Sequence, residues 1–228
     1  NLLFFEFGKT YLSAGPGKYE ELNHLCLYAT GNTGESAWRS KSPKADFYFL
    51  KGIVTSVCQL LGVTISDFSV SSTSSLATCQ QASINLNPML EIGLVSQKLL
   101  ERFDIRQPVV FADLYWDGLL NSVESVNGQF TELPKQLSVK RDLAVIVPKT
   151  LSFDAVEKSV KKINLARLQS MQLFDVFESE KLGPEKKSMA VSFTFLDKEK
   201  TLNELEIDGM MSQIMTSFQD DLQAEIRI

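Results

Sequence analysis

The chain has 228 residues, 44% hydrophobic and 22% charged, with a formal net charge of −5. That length exceeds one typical domain, so two are expected, and no apolar run is long enough to span a bilayer. The acidic balance excludes wholesale attraction to nucleic acid, so any RNA contact has to come from a local patch.

Three cysteines, Cys26, Cys58 and Cys79, show no paired metal spacing and read as reduced thiols of a cytoplasmic protein. The chain opens on Asn1, directly before Leu2-Leu-Phe-Phe-Glu-Phe-Gly8, without a secretory leader. It is therefore expected to begin within a domain, as a fragment would.

Residues 2–12 alternate as a strand whose two faces are expected to be mostly covered, and Ala14-Gly-Pro-Gly17 makes the turn into a second, antiparallel strand from Glu21 to Ala29. Gly31-Asn-Thr-Gly34 breaks that strand, and Trp38 follows in a loop. From Asp46 a helix carries Phe47, Leu50, Val54, Val57 and Leu61 at helical spacing until Gly62. The run Ser69 to Ser75 fits either a loop or a polar edge strand. Met89 to Leu94 reads as a strand, Ser96 caps a short helix bearing Leu99, Leu100 and Phe103, and Val109 to Trp116 returns as a strand. The stretch Asn121 to Gly128, with Pro134 after it, marks the expected boundary between domains at residues 1–128 and 134–228.

Beyond the boundary, Ser138 to Val147 alternates as a strand and Ser152 caps a helix with Phe153, Val156, Val160 and Ile163 on one face. Leu173 to Glu178 and Lys186 to Phe195 read as two further strands. Asn203-x-x-Glu206 is a capping box for a helix whose stripe Ile207, Met211, Ile214, Met215, Phe218 and Leu222 reads as core. Ala224 to Ile228 closes the order strand, helix, strand, strand, helix, strand, which is a ferredoxin-like domain. The fold class is thus α+β.

Such a sheet carries helices on one face only. Met189, Val191, Phe193 and Phe195 are the expected core side of one strand. Ser188, Ala190, Ser192 and Thr194 are the opposite, small and weakly polar side. Around it lie Lys135, Lys140, Arg141, Lys181, Lys186 and Lys187, an arrangement suited to splayed single-stranded bases on the sheet with cations on the phosphates. Phe174 and Phe177 have opposite parity on their strand, so at most one is core and the other, taken as Phe177, is free to stack a base. For Arg141 two readings stand, a surface pair with Asp142 or a clamp on phosphate or base.

No chemistry of an independent enzyme is legible. The single histidine, His24, lies within a strand and reads as packed or surface. No nucleophile has an activating partner, no P-loop or dinucleotide glycine pattern occurs, and the carboxylates have no metal-fixing spacing. No catalytic, cofactor-binding or metal residue is assigned.

Four motifs carry a family resemblance. They are Leu133-Pro-Lys-Gln-x-Ser-x-x-Arg-Asp-Leu-Ala-Val, Leu173-Phe-Asp-Val-Phe-Glu, Gly183 with Lys186-Lys-Ser-Met-Ala, and Lys200-Thr-Leu-Asn-Glu204. In this order they resemble the ferredoxin-fold anticodon-binding domain that closes the β subunit of bacterial phenylalanyl-tRNA synthetase. Phe4-Phe-Glu-Phe-Gly-Lys-Thr-Tyr11, and Gly31 through Trp38 to Asp46-Phe-Tyr-Phe-Leu-Lys-Gly52, are similar to the catalytic-like module of the same subunit. Asn85-Leu-Asn-Pro88 departs from the family's usual His-Pro-Gly run, which puts a specific role for that loop in doubt.

The resemblance implies a first domain with a class II synthetase-like antiparallel sheet and no active site, packed on the catalytic α subunit in an (αβ)₂ heterotetramer. It implies a second domain that binds the anticodon region of tRNA(Phe) through Lys140, Arg141, Ala144, Phe177, Lys186, Lys187, Ser188, Ala190 and Ser192. ATP and Mg²⁺ are then used by the complete enzyme in the α subunit, and editing lies upstream of this segment. Two other classes compete: a non-catalytic protein-interaction module with a ferredoxin-like domain, and a regulatory small-molecule sensor, for which no glycine-rich effector loop is present.

Overall fold

The computed structural model describes residues 1–65, 68–84, 87–123 and 134–227. It divides into two compact units, Asn1–Gln129 and Phe130–Ile228. Residues 124–128 of the expected boundary, Leu133 of the first motif, Asn85 and Leu86 of the divergent loop, and Ile228 lie outside the described residues. Among those described, no helix is long and apolar enough to cross a membrane.

The first unit is a six-stranded antiparallel sheet ordered β1-β2-β6-β5-β4-β3. Its strands are β1 (Leu2–Gly15), β2 (Lys18–Thr30), β3 (Phe68–Ser71), β4 (Leu76–Ile84), β5 (Asn87–Val95) and β6 (Val109–Tyr115). Helix α1 (Phe47–Leu60) covers one face. Asp46 caps it by accepting from the Phe49 amide at 2.8 Å, and the chain leaves through Gly62 at φ +73°, a conformation in which a β-carbon would clash. Leu50, Val54 and Cys58 of α1 meet Leu25, Leu27 and Ala29 of β2, Leu90 and Ile92 of β5, and Val110, Ala112 and Leu114 of β6. Each strand contributes every second residue because successive side chains point to opposite faces. Truncating one of these leucines to alanine costs about 2–5 kcal/mol.

Five features of this unit differ from the sequence reading or decide what it left open. Strand β1 is an edge strand paired only with β2, and Leu2, Leu3, Phe4, Phe5, Phe7, Tyr11 and Leu12 along it are exposed rather than covered. Residues 69–75 divide between the two readings, with β3 ending at Ser71 and a loop following. Strand β4 had no signal, because its buried residues Leu76, Cys79 and Ala82 recur at every third position. Register shifts at Leu76/Thr78 and Ala82/Ser83 break its alternation. Trp116 does not extend β6 but opens a short helix, α3 (Trp116–Asn121), whose Asp117 accepts from the backbone and side chain of Asn23 at 2.7 and 2.8 Å. Ser96 precedes α2 (Gln97–Arg102) without a side-chain cap bond.

The second unit is a four-stranded antiparallel sheet ordered β10-β7-β9-β8. It comprises β7 (Val139–Pro148), α4 (Phe153–Ile163), β8 (Leu168–Phe177), a 3₁₀ turn at Glu180–Leu182, β9 (Lys186–Phe195), α5 (Glu204–Leu222) and β10 (Glu225–Arg227). This order is that of a ferredoxin-like βαββαβ fold. Met189, Val191, Phe193 and Phe195 are buried against α4 and α5, whose Val156, Val160, Ile207, Met211, Ile214 and Phe218 complete the core. The Ser159 and Ser217 hydroxyls, 2.6 Å apart, satisfy each other where the two helices meet.

Asn203 and Glu206 form the capping box at the start of α5. Lys200 reaches Glu206 at 2.5 Å and Arg167 bridges Asp197 and Glu206 at 2.8 and 3.2 Å. The Lys200-Thr-Leu-Asn-Glu204 motif is thus the anchor of this helix end, with Leu202 buried beneath it.

Candidate functional site

The register of the second sheet assembles its helix-free face row by row. Ile146, Ser188 and Phe177 are in line, then Ala144, Ala190 and Asp175, then Asp142, Ser192 and Gln172, then Lys140, Thr194 and Ser170. Strand β10 adds Glu225 beside Ile146 and Arg227 beside Ala144. Cross-strand partners share a face, so the centre of this surface consists of small residues. Backbone of a partner can approach closely there. Ser188, in line between Ile146 and Phe177, is only 7% exposed, so it lies in the floor of the face and not on its surface as the sequence suggested.

Phe177 belongs to this face at its edge and is 51% exposed. The parity argument that selected it does not hold in the structure. A register shift between Leu173 and Asp175 puts Leu173 and Val176, three residues apart, on the core side. Phe174 occupies the irregularity and is also exposed, so neither ring is core.

Two of the expected contact residues stand on the other side. Arg141 pairs in register with Phe193, and Lys187 with Val147, both core-facing positions. Arg141 turns toward α5, where its Nη2 donates to Glu204 at 2.5 Å, so its carboxylate partner is Glu204 and not Asp142. Lys186 has open-face parity but is ion-paired with Glu225. Lys140, Ala144, Ala190 and Ser192 are where the sequence placed them.

The charges on this face balance. Lys140, Lys186 and Arg227 are matched by Asp142, Asp175 and Glu225 in the same register rows or beside them. Of the basic rim expected from the sequence, Arg141 and Lys186 are engaged by Glu204 and Glu225.

In the first unit His24, 7% exposed, bridges two strands. Its Nδ1 lies 2.9 Å from Asp113 of β6 and its Nε2 2.9 Å from the Thr10 hydroxyl of β1, with Tyr115 packed at 5.0 Å between ring centroids. This network fastens the β1–β2 hairpin to β6. Burial pushes the Cys26 thiol up to about 11, with Asp113 beside it adding to the effect. Burial and a hydrogen bond to Glu91 push Cys79 equally to about 11. Both thiols stay protonated at neutral pH. Among the described residues no group of His, Cys, Asp and Glu is arranged to hold a metal ion.

Comparison with known families agrees with this geometry. Residues 134–227 match the ferredoxin-fold anticodon binding domain, so the second unit belongs to that class of domain. Residues 1–116 match the phenylalanyl tRNA synthetase beta chain CLM domain. The chain belongs to the phenylalanyl-tRNA synthetase β-chain family.

Relatives of the whole chain include the phenylalanine–tRNA ligase beta subunits of Bacteroides thetaiotaomicron, 33% identical over 100% of this chain, and of Porphyromonas gingivalis and Carboxydothermus hydrogenoformans, each 30% identical over 100%. The chain spans 29% of the length of each.

Proposed function

We propose that this chain is the part of a phenylalanine–tRNA ligase β subunit that scaffolds the catalytic α subunit and holds the anticodon region of tRNA(Phe) during ATP-dependent aminoacylation in the cytoplasm. The observation that carries the reading is the helix-free face of the second unit. Small residues line its middle, Phe177 stands exposed at its edge, and the domain matches an anticodon-binding family over nearly its whole length. Phe177 stacks on a splayed base, Ala144, Ala190 and Ser192 admit the RNA backbone, and Lys140 and Arg227 meet phosphates. Lys187 contributes from the strand end. Arg141, ion-paired with Glu204 of α5, is assigned no RNA contact.

The first unit supports a docking role through its edge hairpin. Leu3, Phe5 and Phe7 on one parity and Leu2, Phe4 and Leu12 on the other are all exposed, an apolar extent that lone soluble surfaces seldom carry. The α subunit of an (αβ)₂ assembly is the partner proposed for it. ATP and Mg²⁺ are assigned to that subunit, and no step of their chemistry is assigned to residues of this chain.

The balance of charge on the open face specifically favours a second reading, in which the sheet meets protein rather than RNA. Titration of the chain with tRNA(Phe), and with the same tRNA carrying a replaced anticodon loop, at two salt concentrations separates the two. Preference for the native loop, weakening with salt, is the expected result. Equal or absent binding, with a 1:1 complex with an α subunit, overturns the RNA reading in favour of the protein one.

A further inference from the structure

The face of the first sheet opposite α1 carries a cleft of about 400 Å³ that the anticodon and scaffold readings do not use. One wall is aromatic: Tyr28 and Phe111, cross-strand partners on β2 and β6, have ring centroids 5.0 Å apart at 45°. The far end is closed by Leu76, Val95 and Leu99. Glu91 of β5 presents its carboxylate at the cleft, and among the described residues no Lys, Arg or His lines it.

The register sets that carboxylate in an acidic row. Glu6, Cys26, Asp113 and Glu91 form one continuous row across β1, β2, β6 and β5, which puts Glu91 directly opposite Asp113. Like charges in direct cross-strand opposition repel. The Cys79 thiol donates to Glu91 at 3.3 Å, which satisfies one oxygen but brings no positive charge. Burial is the main cause of the raised Cys26 thiol and Tyr28 phenol, and Asp113 and Glu6 of the same row add to both.

We propose that this cleft binds a small organic ammonium ion with an apolar body. The ammonium group pairs with Glu91 and lies against the Tyr28 and Phe111 rings, where a cation is attracted by the ring faces. The apolar body fills the end formed by Leu76, Val95 and Leu99, and the cleft is within the size of ordinary small-molecule sites. A metal ion is a poor alternative, because no group of His, Cys, Asp and Glu among the described residues is arranged to hold one. The lining also sets a selectivity: a ligand carrying its own carboxylate brings a negative charge beside Glu91 with no basic residue to receive it. Simple amines are therefore preferred over amino acids and over acids of the same shape.

The test is calorimetric or NMR titration of the 228-residue chain with phenethylamine, with its acid counterpart 3-phenylpropionate, and with phenylalanine. Saturable binding of the amine, at least about tenfold tighter than either carboxylate, is expected. Glu91→Gln keeps an acceptor for Cys79 and should weaken the amine about tenfold or more. Leu99→Trp, which fills the apolar end and leaves the carboxylate, should block binding. Equal binding of amine and acid, no saturation by the amine up to about 10 mM, or unchanged affinity in a folded Glu91→Gln overturns the proposal. The comparison of the three ligands on the unmodified chain decides the matter even if a variant fails to fold.

Discussion

Arg141 Nη2 lies 2.5 Å from a Glu204 carboxylate oxygen, joining β7 to the first turn of α5. Two residues from separate family motifs, 63 positions apart, thus pair with each other. Their side chains are 33% and 77% exposed, so the pair is solvent-screened and worth at most about 1 kcal/mol.

Arg141→Ala is therefore expected to lower stability by less than about 1 kcal/mol and to leave affinity for an anticodon stem-loop nearly unchanged. Lys140→Ala, on the open face, should weaken that affinity severalfold and flatten its salt dependence. Urea melts and stem-loop titrations of both variants provide the check. An equal loss of affinity in the two would return Arg141 to the RNA-contacting set.

Phe177 and Phe193 make a contrasting pair, one 51% exposed at the edge of the open face and the other fully buried. Phe177→Ala should leave the fold intact and reduce RNA binding by about 1–3 kcal/mol, the worth of one stacked base. Phe193→Ala should cost about 3–5 kcal/mol of stability. RNA binding unchanged by Phe177→Ala would remove stacking from the mechanism.

Asp117 gives the first unit an acid-sensitive joint. Hydrogen bonds from the backbone and then the side chain of Asn23 hold its carboxyl below the ordinary value of 3.8. A depressed carboxylate contributes stability that is fully present above its unfolded pKa and is lost as pH falls through the folded one. Asp117→Asn should therefore be less stable than the parent at neutral pH, with the gap closing below about pH 4. Urea midpoints of parent and variant, measured through that range, test it. A gap independent of pH would mean that ionisation of Asp117 is not what stabilises the joint.

Gly93 sits where β5 passes β4. A β-carbon there would lie 2.0 Å from the Thr78 carbonyl oxygen, which is backbone and cannot swing away. Gly93→Ala should cost about 3 kcal/mol or more by forcing the strands apart, seen as a lowered thermal midpoint. Gly8→Ala, with nothing within 4 Å of the added carbon, is the neutral control.

Much of the second unit was legible before any coordinates. Capping residues Ser152 and Asn203, the alternation of β9 and the stripe of α5 are local signals. Each is set by the geometry of a single element, and the structure places Phe193, Phe195, Ile214 and Phe218 in the core accordingly. In the first unit the same was true of α1 and β2. Strand β4 and helix α3 were not legible, because buried residues spaced by three and a six-residue helix leave no period to read.

The candidate site was legible only in part. Strand parity by itself identified Ala190 and Ser192 as facing away from the core, and motif order by itself indicated the family. Only the tertiary structure decided that Arg141 turns to Glu204, that Lys186 is taken by Glu225, that Phe174 and Phe177 are both exposed, and that β1 has no cover within its own unit. The physical reason is common to all four. Local sequence sets the period of a strand, but a register shift, an edge position or an ion pair depends on residues tens of positions away, and these determine which face a side chain finally serves.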